Sequence, residues 1–133
     1  MPKARNITVN ELMKREVITL DEEMPILTAV GKLLKNKISG APVLNEKKEV
    51  VGLLSEKDCL CILTQGTFHN LPSKRVSQYM TRNVKTVHST LDIIEMAELF
   101  IKTHFRRYPV VDDGKLVGTI SRRDVLRVIN EKM

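Results

Sequence analysis

Two stretches place a serine and an aspartate three residues apart, directly after an apolar run. They are Gly52-Leu-Leu-Ser55-Glu-Lys-Asp58 and Gly118-Thr-Ile-Ser121-Arg-Arg-Asp124. Leu116 to Ile120 reads as a strand delivering the chain to Ser121, and an apolar-periodic helix starts directly afterwards. A strand that turns straight into a helix leaves backbone N–H groups of partial positive charge, which suit an anion. The same spacing also makes a capping box, in which the aspartate returns a bond to the serine backbone N–H. Such a cap contributes about 0.5–2 kcal/mol and needs no ligand. Both readings stand for Ser55 and Asp58. At the second stretch Arg122 and Arg123 occupy the first helical turn, where the helix dipole disfavours a cation by about 0.3–1 kcal/mol. Two arginines at a positive helix end fit a bound phosphate; the alternative is that both project into solvent.

Other chemistry is sparse. Cys59 and Cys61 sit two apart in an expected helix, on different faces, and are read as a small core residue and a more exposed one. His69, His88 and His104 show no ligand spacing, and two thiols are too few for a thiolate metal site. No nucleophile–base pair or Walker-type loop is present, so the chain reads as a non-enzyme that requires no metal or cofactor. Its 133 residues carry a net charge of +6, with 42% hydrophobic and 29% charged residues, the balance of a globular domain. The charge is uneven: residues 1–66 hold 10 Lys/Arg against 9 Asp/Glu, residues 67–133 hold 12 against 7. That excess points to a local anion site or an anionic partner. No apolar run approaches the roughly 20 residues of a membrane span, and the N-terminus is polar and basic. The expectation is a cytoplasmic protein without a membrane partner.

The elements that position these residues come in duplicate. At an offset of 67, Val9, Met13, Arg15, Val17 and Thr19 meet Val76, Met80, Arg82, Val84 and Thr86. Ile26, Lys35, Pro42 and Val43 meet Ile93, Lys102, Pro109 and Val110. One residue is then lost in a turn, and at an offset of 66 Val51, Gly52, Ser55, Asp58 and Leu60 meet Val117, Gly118, Ser121, Asp124 and Leu126. Each copy reads as a one-turn helical lead, a short extended piece (Val17–Leu20, Val84–Val87), an amphipathic helix (24–36 in the first copy), two strands and a final helix. Asp112-Asp-Gly114 supplies turn chemistry between the second pair of strands. The final helices are expected to bury Cys59, Leu60, Ile62 and Leu63, and Val125, Leu126, Val128 and Ile129. Residues 64–73 read as a connecting loop, with Phe68 and Leu71 over an edge. The expected organisation is repeat 1 over 1–66 with its helical lead, then linker and repeat 2 over 67–133. About 60 residues bury too little surface alone, so the two α/β (α+β) repeats are expected to pack through their sheets.

In this order the elements resemble the cystathionine-β-synthase-type (CBS) domain, arranged as a tandem pair. The resemblance rests on the (Ile/Val)-x-Thr extended piece, the x-Pro-Val strand and the G-x-x-S-x-x-D motif. It covers about residues 7 to 131, twice over. It implies a β-α-β-β-α pair with two clefts for an adenosine ligand such as AMP, ADP, ATP or S-adenosylmethionine, the motif Asp on ribose and the Ser near phosphate. By position, one cleft joins Ile18, Thr19, Ile38, Ser39, Gly40, Ala41 and Pro42 with Ile120, Ser121, Arg122, Arg123 and Asp124. The other joins Lys85, Thr86, Phe105, Arg106, Arg107, Tyr108 and Pro109 with Ser55, Lys57 and Asp58. Arg106 and Arg107 stand where the family often carries phosphate-reaching bases; an ordinary solvated strand start is the alternative. The first cleft, with small Gly40-Ala41 and apolar Ile18 and Ile38, is expected to be the better adenosine site.

The function these features imply is a regulatory adenine-nucleotide-binding module, a homodimer acting on an unidentified partner protein. The alternatives are nucleic-acid binding by the basic second half, which lacks a helix-turn-helix or stacking sheet, and a purely structural dimerisation module.

Overall fold

The computed structural model of the chain describes residues 7–66 and 68–133, with the side chains of residues 68 and 69 outside that description. The first repeat contains α1 (Val9–Leu12), β1 (Leu20–Asp21), α2 (Ile26–Lys35), β2 (Gly40–Leu44), β3 (Val50–Ser55) and α3 (Glu56–Gln65). In the second, 3-10 turns at Phe68–Ser73 and Val76–Gln78 precede α4 (Ile93–Lys102), β4 (Arg107–Asp112), β5 (Lys115–Ser121) and α5 (Arg122–Lys132). The fold class is the expected α+β. The connector differs from expectation: α3 runs on to Gln65, and Phe68–Ser73 takes 3-10 turns rather than an open loop. Leu71 packs against a core, while the expected packing of Phe68 lies outside the described residues.

The sheets carry the duplication into hydrogen bonding. β2 and β3 pair antiparallel, as do β4 and β5, and each hairpin has a register shift at the matching valine, Val43 or Val110. Leu20 pairs in parallel with Val43 in β1–β2, and its counterpart Val87 makes an isolated parallel bridge to Val110. The expected extended piece Val84–Val87 thus reduces to one bridge. The β4–β5 turn is a tight one, with Asp113 at φ 50° and Gly114 at φ 78°, the pair of positive angles that matches strand twist in a two-residue hairpin. The longer β2–β3 turn is tied by Asn45, whose Oδ1 accepts from the N–H groups of Lys47 and Glu49 at 2.9 and 3.0 Å.

Compactness does not follow the repeats. Among the described residues, one compact unit comprises residues 7–17 and 85–133, the other those of 18–84. Each repeat's helical lead therefore packs with the body of the other repeat, and the division at 66/67 describes the sequence rather than the packing. Val9 and Met13 lie in one core with Met96, Phe100, Tyr108 and Ile120. Val76 and Met80 lie in the other with Ile26, Leu33, Val43 and Leu54. Two-way backbone pairs fix the exchange. Lys14 and Thr119 bond each other at 2.9 Å in both directions, and Leu53 and Thr81 do the same at 2.9 and 2.8 Å. Ile93 donates to Ile7 at 3.0 Å, and Ile26 donates to Lys74 at 2.9 Å.

The helices bury narrow stripes. Ile26, Ala29 and Leu33 of α2 are buried, as are Ile93, Met96 and Phe100 of α4. The final helices bury less than expected. Ile62 and Val128 are buried, with Cys59 and Val125 partly so, but Leu60, Leu63, Leu126 and Ile129 are exposed. A helix resting on a single sheet seats one line of side chains at three- to four-residue spacing, and the adjoining line points away.

Candidate functional site

Both Ser-x-x-Asp motifs fold as capping boxes. Ser121 Oγ accepts from the Asp124 N–H at 3.2 Å, and Asp124 Oδ2 accepts from the Ser121 N–H at 2.8 Å. Ser55 and Asp58 repeat this at 3.1 and 2.9 Å. A further first-turn donor is taken by backbone: Arg122 N–H reaches the Arg106 carbonyl at 3.1 Å, and Glu56 N–H reaches that of Ser39 at 2.9 Å. The free donors expected at each helix start are thereby reduced to the N–H of Arg123 and of Lys57. Backbone polarity alone is a weak anion site here. Side chains must supply the rest.

Arginine side chains gather at one end of the β4–β5 hairpin. The register places Arg107 opposite Ser121, so Arg106 and Arg107 at the start of β4 adjoin Arg122 and Arg123 at the start of α5. All four are exposed. Arg122 donates from Nη2 to the Thr103 carbonyl at 3.2 Å, at the C-terminal end of α4. A cation there is favoured by the second helix's dipole, which offsets its poor position on its own helix. Arg107 reaches Thr119 Oγ1 only at 3.4 Å. The matching end of β2–β3 carries Ser39, Gly40, Glu56 and Lys57, so the charge excess of the second repeat is concentrated in these arginines.

The two aspartates differ in surroundings. Asp124 is fully buried, and its Oδ1 accepts a charge-assisted bond from Arg127 Nη1, one helical turn on. Asp58 is half-buried, and its Oδ1 receives only a 3.3 Å bond from the Thr81 hydroxyl. Sequence reading missed Arg127, although its i+3 spacing from Asp124 was available as a signal. Beside Asp58, burial pushes the Cys59 thiol above its ordinary range, with Asp58, Cys61 and Glu56 adding to the effect. It is a poor nucleophile.

The remaining expected residues divide between the units. In residues 18–84, Ile18 and Ser39 are exposed, Thr19, Ile38 and Gly40 half-buried, and Ala41 and Pro42 buried. In the other unit Lys85, Thr86 and Phe105 are exposed, whereas Tyr108, Pro109 and Ile120 are buried. The Tyr108 ring is a core group, tilted against Phe100 at 5.3 Å and edge-on to Phe105 at 5.5 Å. Of the two aromatic residues expected in that cleft, only Phe105 is exposed. Each expected cleft draws its two halves from different units. Within one unit, Arg106 and Arg107 of one set adjoin Ser121 to Asp124 of the other.

The family model for the CBS domain matches the chain twice, over residues 9–64 and 76–131. The chain belongs to the CBS domain family. The curated protein MJ1225 of Methanocaldococcus jannaschii is 31% identical to it over 126 residues, covering 95% of this chain and 44% of that protein. The chain thus spans under half the length of that relative. Among solved structures, the CBS-pair protein CBSX2 of Arabidopsis thaliana is 28% identical with a TM-score of 0.83, covering 95% of this chain and 96% of that one. CBSX2 has also been solved in complex with AMP. The CBS domain pair of protein MJ0100, in complex with 5'-methylthioadenosine and S-adenosylmethionine, is 27% identical with a TM-score of 0.76, covering 93% of this chain and 96% of that one. As a CBS pair, the chain carries both motifs in full, including the glycine, serine and aspartate of each.

Proposed function

We propose that this CBS pair is a regulatory module that binds an adenosine-containing ligand and transmits occupancy to a partner protein. The observation that carries the reading is the cluster of Arg106, Arg107, Arg122 and Arg123 beside the Ser121–Asp124 cap. Exposed guanidinium forks next to a carboxylate are the two complements of a nucleotide, phosphate oxygens and ribose hydroxyls. Asp124 and Asp58 are the ribose groups of this reading. Ile18, Thr19, Ile38, Ser39 and Gly40 serve the base in one site, and Lys85, Thr86 and Phe105 in the other. The complexes of CBSX2 with AMP and of the MJ0100 pair with adenosine derivatives support the ligand class. The exposed apolar residues of α4 and α5, and of α2 and α3, support a homodimer.

Calorimetric titration with AMP, ATP and S-adenosylmethionine tests this. Saturable binding that persists at moderate salt and disappears in the double variant Asp58→Ala/Asp124→Ala is expected. Absence of binding by all three, with salt-sensitive retention of DNA or RNA instead, would transfer the arginine cluster to the nucleic-acid reading.

A further inference from the structure

Resting on that reading, the two ribose carboxylates stand in unequal states. Asp124 has no exposed surface, and both of its oxygens are engaged: Oδ2 by the Ser121 N–H and Oδ1 by the Arg127 guanidinium. Arg127 is about half-exposed, so the cation covering this carboxylate lies at the surface. A buried carboxylate without a partner is costly, so Arg127 leaves only when another donor set replaces it. Among the described residues no cation is paired with Asp58. At the offset of 66 the counterpart of Arg127 is Cys61, whose thiol bonds instead to the Lys57 carbonyl at 3.7 Å. The outer oxygen of Asp58 holds one long bond from a neutral hydroxyl, and the residue keeps part of its surface.

We infer that Arg127 is a latch on Asp124: ribose hydroxyls displace the guanidinium to bind there, while Asp58 accepts them without displacement. The Asp58 site fills first and the Asp124 site second, reversing the order that side-chain size alone implies. A latch closed most of the time lowers apparent affinity by the fraction of molecules that are open. Arg127 is a positioning residue here, acting through Asp124.

Titration with AMP reads the latch directly. The unaltered protein shows two classes of site; Asp58→Ala removes the tighter and Asp124→Ala the weaker. Arg127→Met tightens the weaker class by about tenfold and leaves the tighter one unchanged. Cys61→Arg, the reciprocal exchange, weakens the tighter class by a similar factor and decides the matter even if Arg127→Met fails to fold. Two classes that ignore both exchanges, a loss of affinity in Arg127→Met, or loss of the tighter class in Asp124→Ala would each overturn the latch and leave the adenosine reading standing. An unaltered protein that binds no AMP overturns the latch as stated, and one that binds none of AMP, ATP and S-adenosylmethionine overturns both.

Discussion

The carbonyl oxygen of Lys14 lies 2.6 Å from the point a Cβ on Gly118 would occupy. The helical lead of the first repeat thus crosses the motif glycine of the second at a distance that admits no side chain. The reciprocal crossing, of Thr81 over Gly52, is looser: the nearest atoms are the flexible Met80 side chain at 2.5 and 2.9 Å, and the Thr81 carbonyl is at 3.0 Å. Overpacking costs about 1–3 kcal/mol, and a methionine yields more readily than backbone. Gly118→Ala is expected near the top of that range and Gly52→Ala near the bottom, measured by urea unfolding. Equal losses would show that the leads adjust alike.

The acid limb of stability is expected to run through Asp112. Hydrogen bonds from the Ser89 hydroxyl at 2.6 Å and the Ser89 N–H at 3.0 Å hold this carboxyl below its ordinary range, with His88 and Arg15 assisting. The unfolded chain then binds the proton more readily than the folded one. The stability Asp112 contributes is complete above the ordinary carboxylate value and is lost as pH falls below about 4. In Ser89→Ala the Asp112 titration, followed by NMR, is expected to move up toward the ordinary value. An unmoved titration would assign the effect to the surrounding charges.

Tyr108 anchors the arginine-bearing strand. The Thr103 hydroxyl donates to the Leu99 carbonyl at 3.0 Å, so in its 2.8 Å bond with Tyr108 the phenol is the donor. Tyr108→Phe is expected to cost about 0.5–1.5 kcal/mol. Phe100→Ala, which opens a cavity against the same ring, is expected to cost about 3–5 kcal/mol. Thermal unfolding of the two variants checks the ranking.

The apolar groove of about 480 Å³ between α4 and α5 is lined by Ala97, Phe100, Ile101, Val125, Leu126 and Ile129, with Arg122 at its edge. Ile101 is 83% exposed and Ile129 61%, values that call for cover. The proposed homodimer, if sealed there, is expected to dissociate in Leu126→Asp/Ile129→Asp, read by sedimentation velocity. An unchanged sedimentation coefficient would place the dimer contact elsewhere or remove it.

Much of this fold is legible in the chain. The 67-residue offset, Pro42-Val43 with Pro109-Val110, and the paired G-x-x-S-x-x-D motifs each report a local constraint. A strand's alternation, a turn's Asp-Gly and a helix cap are set by neighbours a few residues apart, and such neighbours are visible in sequence. The wide stripes of the last helices were harder to read. Leu60 and Leu126 satisfy helical spacing as well as Ile62 and Val128 do, and only the sheet beneath selects between them.

At the site, the sequence by itself determined the duplication, the caps and the surplus of arginines. Only the tertiary structure decided which repeat each helical lead joins, that Arg122 rests on the carbonyl end of α4, and that Asp124 is held by Arg127 while Asp58 is not. The exchange of leads depends on partners distant in sequence, Lys14 with Thr119 and Leu53 with Thr81, which no local pattern specifies. The unequal aspartates depend on burial, and burial belongs to the packed molecule.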